Sequence, residues 1–128
     1  MSSVVIRKHV AAMRAEFEAM MAESVDGTAA ERATATAEFE RLFRQLPAMQ
    51  HRLVNGLAEV PVEQLGETSV AAALSTLLRI SRKDANRRVK DAKDLGSRTA
   101  LTGEPMAPLL TNTATAQRRG DIGFDHVK

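Results

Sequence analysis

The chain of 128 residues is long enough for one ordinary domain, and it contains no cysteine, which excludes disulfides, thiolate zinc sites and cysteine nucleophiles. With four Phe and neither Trp nor Tyr, its core must be built from Leu, Val, Met and Ala, which favours helices over sheets and predicts an all-α fold. The formal net charge is only +2, so any preference for a charged partner must come from how the charges are distributed along the chain.

The first predicted element is a long helix near the amino terminus, with a narrow apolar seam whose residues recur at spacings of four and three: Ile6, Val10, Met13, Phe17 and Met20. Arg7, Lys8 and His9 interrupt the apolar residues there, so we expect neither a signal peptide nor a membrane span, and we expect a cytoplasmic protein. One helix pair would leave much apolar surface uncovered, so the seam of residues 6–21 is also a candidate surface for a homodimer.

A second long helix follows after a short turn. Gly27 ends the first helix, and Thr28 followed by Glu31 predicts a capping box at the start of the second. Pro47 removes one backbone donor within the second helix, which predicts a kink there. Two long helices joined by a short turn predict an antiparallel hairpin over residues 1–60.

Pro61 and Gly66 lie within the segment EVPVEQLGETS and break the second helix. The next predicted helix is short and is expected to turn one apolar face inward: Val70, Ala71, Leu74, Leu77 and Leu78. After the turn RIS, Ser81 and Asp84 predict a second capping box, and Gly96 predicts the end of the helix that it starts. A helix, a three-residue turn and a capped helix form the layout of a helix-turn-helix, whose second helix lies in the major groove of DNA.

Positive charge is concentrated in this capped helix and its flanks. Residues 79–98 carry eight Lys or Arg against three Asp, whereas residues 1–67 carry seven Lys or Arg against ten Asp or Glu. Ala85, Val89 and Ala92 fall on one side of the helix, which is expected to face the preceding helix. A polyanion is the partner that such an asymmetry favours, so DNA contact is expected through these residues: Arg82, Lys83, Asn86, Arg87, Arg88, Lys90 and Lys93.

The aspartates of the same helix favour the alternative that it is an ordinary solvated surface. Three acid–base pairs stand four residues apart and can form ion pairs within the helix: Asp84 with Arg88, Arg87 with Asp91, and Lys90 with Asp94. Asp91 and Asp94 would also repel phosphate. Contact with nucleic acid is therefore expected to be mostly with phosphates, and base-specific reading is the weaker expectation.

The carboxy-terminal segment begins irregularly, because Gly103 and Pro105 interrupt it. A short C-terminal helix is predicted from near Pro108 to Gly120, and Phe124 is expected to begin the inward face of another helix. The expected organisation is one continuous domain in two parts: the long helical hairpin of residues 1–60, and the helix-turn-helix-like unit with C-terminal helices of residues 61–128.

Two stretches and their spacing carry a resemblance to a known family: RQLPAMQHRLVNGL, and the segment from LLRISRKDANRRVKDAKDLG to the end of the chain. With the distinctive linker LGSRTALTGEP, they resemble the mycobacterial 13E12 repeat family. The region that its members share is known as domain of unknown function 222. The resemblance covers residues 36 to 128. It implies a helical region that, in longer members, precedes a C-terminal HNH nuclease domain, and that domain is not present in this chain.

The sequence offers no catalytic or metal-binding constellation. An HNH site needs paired histidines around a divalent ion, whereas His9, His51 and His126 are scattered singly and are expected to be surface or packing residues. No nucleophile elbow, phosphate loop or dinucleotide fingerprint occurs. We therefore expect a chain that is not an enzyme on its own, with no cofactor, no metal and no evident small-molecule substrate.

Two functional hypotheses remain open. In the first, the chain is a nucleic-acid-binding helical module that holds DNA through the basic helix. In the second, the helices form a protein–protein interaction or oligomerisation scaffold without nucleic-acid binding, and the apolar seam docks on a nuclease domain or on a second copy. Steep salt dependence of binding would favour the first hypothesis, and the mass in solution would report on the second.

Overall fold

The computed structural model describes residues 3–95, 98–99, 105–106 and 118–120. Its helices are α1 (Ser3–Met21), α2 (Ala29–Ala58), α3 (Val70–Leu78) and α4 (Arg82–Leu95), with a short 3-10 helix at Val62–Leu65. Two strands of two residues each, β1 (Arg98–Thr99) and β2 (Pro105–Met106), pair antiparallel, with Arg98 opposite Met106 and Thr99 opposite Pro105. The predicted all-α class is confirmed, since these four residues form the only strand pairing in the described ranges.

The chain divides into two compact units, Met1–Thr36 and Ala37–Lys128. In the first unit, the capping box predicted at the start of α2 is confirmed in both directions. The Glu31 amide donates to Thr28 Oγ1 at 3.1 Å, and the Thr28 amide donates to Glu31 Oε1 at 3.0 Å. Hydrogen bonding to the Glu31 carboxyl, first from the Thr28 amide and then from the Thr28 side chain, lowers the pKa of this carboxyl. The turn before the box contains Gly27 at a φ of 104°, a conformation that glycine adopts without strain.

Helix α1 buries none of its side chains. The seam that the sequence predicts is present on it, but Val10, Met13, Phe17 and Met20 are each about half exposed, between 49% and 55%. These methionines are therefore not core residues of the first unit. The antiparallel hairpin predicted for residues 1–60 stays a prediction.

The core of the second unit is small and rich in alanine, because short side chains let α3 and α4 approach closely. Its buried members are Val54, Ala71, Leu74, Ala85 and Ala92, with Leu57, Val70, Ile80 and Val89 packed against them. The prediction that Leu77 and Leu78 of α3 face inward is wrong, because Leu77 is 66% exposed and Leu78 is 42% exposed. The physical reason is that Arg79, in the left-handed conformation at a φ of 56°, ends the helix there and turns the chain toward α4.

Helix α2 continues through Pro47, which lies inside it. Pro47 has no amide hydrogen to donate to the Phe43 carbonyl, so one helical hydrogen bond is missing at this point. The helix ends at Ala58, and Gly66 ends the following 3-10 helix at a φ of 70°, so the break that the sequence predicts at Pro61 and Gly66 is present.

Residues 118–120 contact the middle of α2. Arg41 Nη1 donates to the Arg119 carbonyl at 2.8 Å, and Gln45 Nε2 donates to the Arg118 carbonyl at 3.0 Å. Gly120 is buried at a φ of 77°, and a Cβ there would collide with the Arg41 carbonyl oxygen. The C-terminal helix predicted from Pro108 lies outside the described residues except for its last part, and so does the segment from Phe124. Within the described ranges, no helix has both the length and the apolar character needed to cross a membrane.

Candidate nucleic-acid interface

Helix α4 begins where the sequence predicts it, at a serine cap. The Asp84 amide donates to Ser81 Oγ at 3.0 Å, and the Ala85 amide donates to the Ser81 carbonyl at 2.9 Å. The predicted capping box is only half formed, however. The Asp84 carboxylate accepts hydrogen bonds from Arg87 and pairs with Arg88, so it is not directed back to the Ser81 amide.

The inward face of α4 is set by small apolar residues. Ala85 and Ala92 are fully buried, and Val89 packs against the same core. Asn55 of α2 adds a polar contact, because its Nδ2 donates to the Ala92 carbonyl at 2.8 Å. These contacts fix how α4 is rotated about its own axis, and they therefore determine which charged side chains point away from the protein.

Five of the seven residues predicted to bind nucleic acid are exposed on the outer side of α4: Arg82, Lys83, Asn86, Lys90 and Lys93. At 100° per residue they fall within about 100° of arc, so they form one continuous stripe. We call these five residues the outer stripe. Arg79, in the turn before α4, is a further exposed cation that the predicted set does not include. Its place in the turn between two predicted helices was the only signal for it.

The other two residues of the predicted set, Arg87 and Arg88, lie outside the outer stripe. Both are partly buried, with side-chain exposures of 39% and 26%. Arg87 hydrogen-bonds Asp84 through two nitrogens and Asp91 through Nη1 at 3.2 Å. Two carboxylates on the α2 side of the helix therefore draw its long side chain away from the outer face.

All three ion pairs that the sequence predicts within α4 are present. Arg87 pairs with Asp91, Arg88 with Asp84 at 3.3 Å, and Lys90 with Asp94 at 2.8 Å. The Arg87 guanidinium lowers the pKa of Asp84, chiefly by hydrogen bonding, and the hydrogen bond to Asp94 raises the pKa of Lys90. These ion pairs largely compensate the charges of Arg87 and Arg88.

The outer stripe keeps its positive charge despite these pairs. Among the described residues, no carboxylate lies within ion-pairing distance of Arg82, Lys83 or Lys93. Lys90 shares its charge with Asp94 but is 72% exposed, so its ammonium group can also meet a second anion. The stripe can therefore hold anionic groups spaced along about three turns of helix.

A cleft between α2 and α4 is the other polar feature of the second unit. It has a volume of about 370 Å³ and is lined by Phe43, Leu46, Pro47, Gln50, His51, Val54, Arg87, Arg88 and Asp91. The sequence predicts His51 to be either a surface or a packing residue. It is 7% exposed and is therefore a packing residue. The cleft could not be predicted from the sequence, apart from the position of His51 near Pro47 and Val54 on α2. In the described ranges, no group of three His, Asp or Glu residues could hold a metal ion.

Comparisons with known proteins identify the family but no activity. The chain is 54% identical over 102 residues to the uncharacterized protein Rv3466 of Mycobacterium tuberculosis, an alignment that covers 79% of this chain and 46% of the relative. It is 51% identical over 102 residues to the uncharacterized protein Mb1614c of Mycobacterium bovis, with the same coverage of both chains.

A longer relative is the uncharacterized protein Rv1128c of M. tuberculosis, 46% identical over 101 residues that make up 79% of this chain but only 22% of the relative. The chain therefore spans about half the length of the relatives it matches, or less. No solved structure matches it. The family model described as "Domain of unknown function (DUF222)" matches residues 33–128, so the resemblance drawn from the sequence is confirmed and the chain belongs to the DUF222 family.

Proposed function

We propose that the chain is a nucleic-acid-binding helical module that holds DNA mainly through phosphate contacts of the outer stripe. The observation that carries the proposal is the rotation of α4. Its alanines are buried against α3, whereas Lys83 and Lys90 stand exposed on the opposite side, with Arg82 and Lys93 exposed on one flank. Three of these four cations have no carboxylate partner in the described part of the chain. Such an arrangement fits the regular spacing of charge on a nucleic-acid backbone.

The layout of α3 and α4 supports DNA as the partner. Three residues separate the two helices, and the second helix starts at a serine cap, as in helix-turn-helix proteins. In that arrangement the second helix enters the major groove, where Asn86, in the middle of the outer stripe, could also reach base edges. Lysines contribute point charges without a fixed geometry, so we expect affinity for duplex DNA with little sequence preference. The module is proposed to bind without catalysis of its own.

The salt dependence of binding tests this proposal. Three to four phosphate contacts predict a slope of about −2.7 to −3.6 for log K against log salt, which weakens binding roughly 40- to 150-fold between about 50 and 200 mM salt. Fluorescence anisotropy with a labelled random duplex would measure it. Replacing Lys83 by Gln should make the slope shallower by about one, and the double variant K83E/K93E should abolish binding.

A matched control comes from α1, where Lys8→Glu makes the same charge change outside the outer stripe. This variant should bind duplex DNA like the original chain. Binding that is insensitive to salt, or equally weakened by Lys8→Glu and Lys83→Glu, would contradict the proposal.

A second candidate function is an interaction scaffold, and one observation favours it. Helix α1 exposes its apolar seam from Val10 to Met20, with Phe17 at 55% and Met13 at 53% exposure. Surfaces of this kind mark sites of association with another protein surface. Light scattering on the purified chain would give its mass in solution. A monomer whose mass is unchanged by Phe17→Glu would count against the scaffold, whereas a dimer that this variant dissociates would support it.

A further inference from the structure

The cleft between α2 and α4 joins an apolar wall to a polar one. The apolar wall consists of Phe43, Leu46, Pro47 and Val54, and the polar wall consists of Gln50, His51, Arg87, Arg88 and Asp91. Its volume of about 370 Å³ falls within the range of small-molecule sites. Nothing in the proposed nucleic-acid contact uses this cleft, because the outer stripe lies on the other side of α4.

Two buried side-chain nitrogens in the described part of the chain lack a hydrogen-bond partner, and both belong to residues of this cleft. They are His51 Nδ1 and Arg88 Nε. Leaving a buried polar group unpaired costs about 1–3 kcal/mol, so native proteins rarely tolerate it without a reason. The coincidence of both in one cleft indicates a place where a bound group supplies the missing hydrogen bonds.

The donors and charges around the cleft define what that group must be. Arg88 Nε–H can only donate, so the bound group must offer acceptors. Arg87 already pairs with Asp84 and Asp91, whereas among the described residues Arg88 pairs with Asp84 alone, at 3.3 Å. Of the charged groups that line the cleft, Arg87, Arg88 and Asp91 come from α4, and α2 adds only His51. A carboxylate forms a strong, charge-assisted hydrogen bond with an arginine donor, and the apolar wall fits a hydrocarbon body beside it.

We propose that the α2–α4 cleft binds a small organic acid, whose carboxylate accepts from Arg88 and His51 and whose apolar body lies against Phe43, Leu46 and Pro47. Gln50 and Phe43 are exposed at the edge of the cleft, so side-chain rotation there can admit the acid. The site is separate from the proposed nucleic-acid contact, and neither proposal depends on the other.

Proton uptake by His51 should accompany binding. In the free protein, burial lowers the pKa of His51, with Asp91 opposing and Arg87 adding to this effect. A carboxylate placed beside the imidazole stabilises its protonated form and raises that pKa. The bound state then holds more protons than the free state, so affinity for the acid should rise as the pH falls below about 7. A carboxylic acid stays mostly ionised down to about pH 5, so the ligand itself does not titrate in this range.

The first experiment compares three probes on the unaltered chain by NMR titration: 3-phenylpropionate, 3-phenylpropanol and acetate. An acid of this size should bind with a Kd of about 1 mM. We expect the alcohol, which lacks the carboxylate, and acetate, which lacks the apolar body, to bind at least about tenfold more weakly. For 3-phenylpropionate the affinity should rise at least about threefold from about pH 7.5 to about pH 5.5. Equal binding of acid and alcohol, or an affinity that is constant or falls as the pH is lowered, would overturn the proposal.

Variants locate the site. Arg88→Lys keeps the charge but loses Nε, and it should weaken 3-phenylpropionate binding about fivefold or more. His51→Gln keeps hydrogen-bonding groups but cannot take up a proton, so it should remove the pH dependence. The matched control is Arg52→Lys, the same substitution on an exposed part of α2 outside the cleft. If Arg88→Lys binds the acid as well as Arg52→Lys does, the assignment to this cleft is wrong. Should a variant fail to fold, the comparison of acid with alcohol on the unaltered chain still decides the matter.

Discussion

Leu74 is the residue on which the packing of α3 against α4 depends most. It is 1% exposed and is the largest fully buried side chain in the described part of the chain. Its buried neighbours include Ala71, Ala85 and Ala92, whose short side chains cannot swing into a space left behind. Leu74→Ala should therefore leave a cavity that does not collapse, and we expect it to lower the free energy of unfolding of this unit by about 3 kcal/mol.

Leu77→Ala is the matched control on the same helix. Leu77 is 66% exposed, so its removal forfeits little burial, and we expect a cost below about 1 kcal/mol. Both substitutions change helix propensity equally, so the difference between them reports burial alone. Native-state hydrogen exchange of the α3 and α4 amides measures this unit separately from α1. Equal losses of stability for the two variants would refute the packing of α3 described above.

Three further outcomes follow from local contacts. Ser81→Ala removes the 3.0 Å hydrogen bond to the Asp84 amide and should cost about 1 kcal/mol in a urea titration, whereas Ser81→Asp should restore most of it. Gly120→Ala places a Cβ against the Arg41 carbonyl in a left-handed backbone, so exchange protection where this segment contacts α2 should fall while α3 keeps its own. Burial lowers the pKa of His51 below the ordinary 6.5, so the unfolded chain takes up a proton first, and stability should decline as the pH falls through about 6.5. His51→Gln should flatten this decline in midpoints measured at several pH values, and an equal decline in the variant would show that another group is responsible.

Short-range features could be predicted from the sequence, because the residues that make them are three or four apart on one helix. Thr28 and Glu31 form their capping box from local contacts alone, since Thr28 directly precedes α2 and Glu31 lies in its first turn. The same holds for the Lys90–Asp94 ion pair. The all-α class followed from composition, and the family from the linker and the segments around it.

Only the tertiary structure shows which segment packs against each helix face. Hydrophobic periodicity along the sequence does not predict this partner. Spacing along α4 predicts the Arg87–Asp91 ion pair, but the cleft that Arg87 lines depends on the approach of α2. Leu77 continues the apolar face of α3 in the sequence, yet beyond the turn at Arg79 no described residue covers it, and it is 66% exposed. The cleft at His51 exists only because two helices far apart in sequence meet there. Local sequence determines the angle at which a side chain leaves the helix axis. Its burial depends on which distant segment of the chain packs against it.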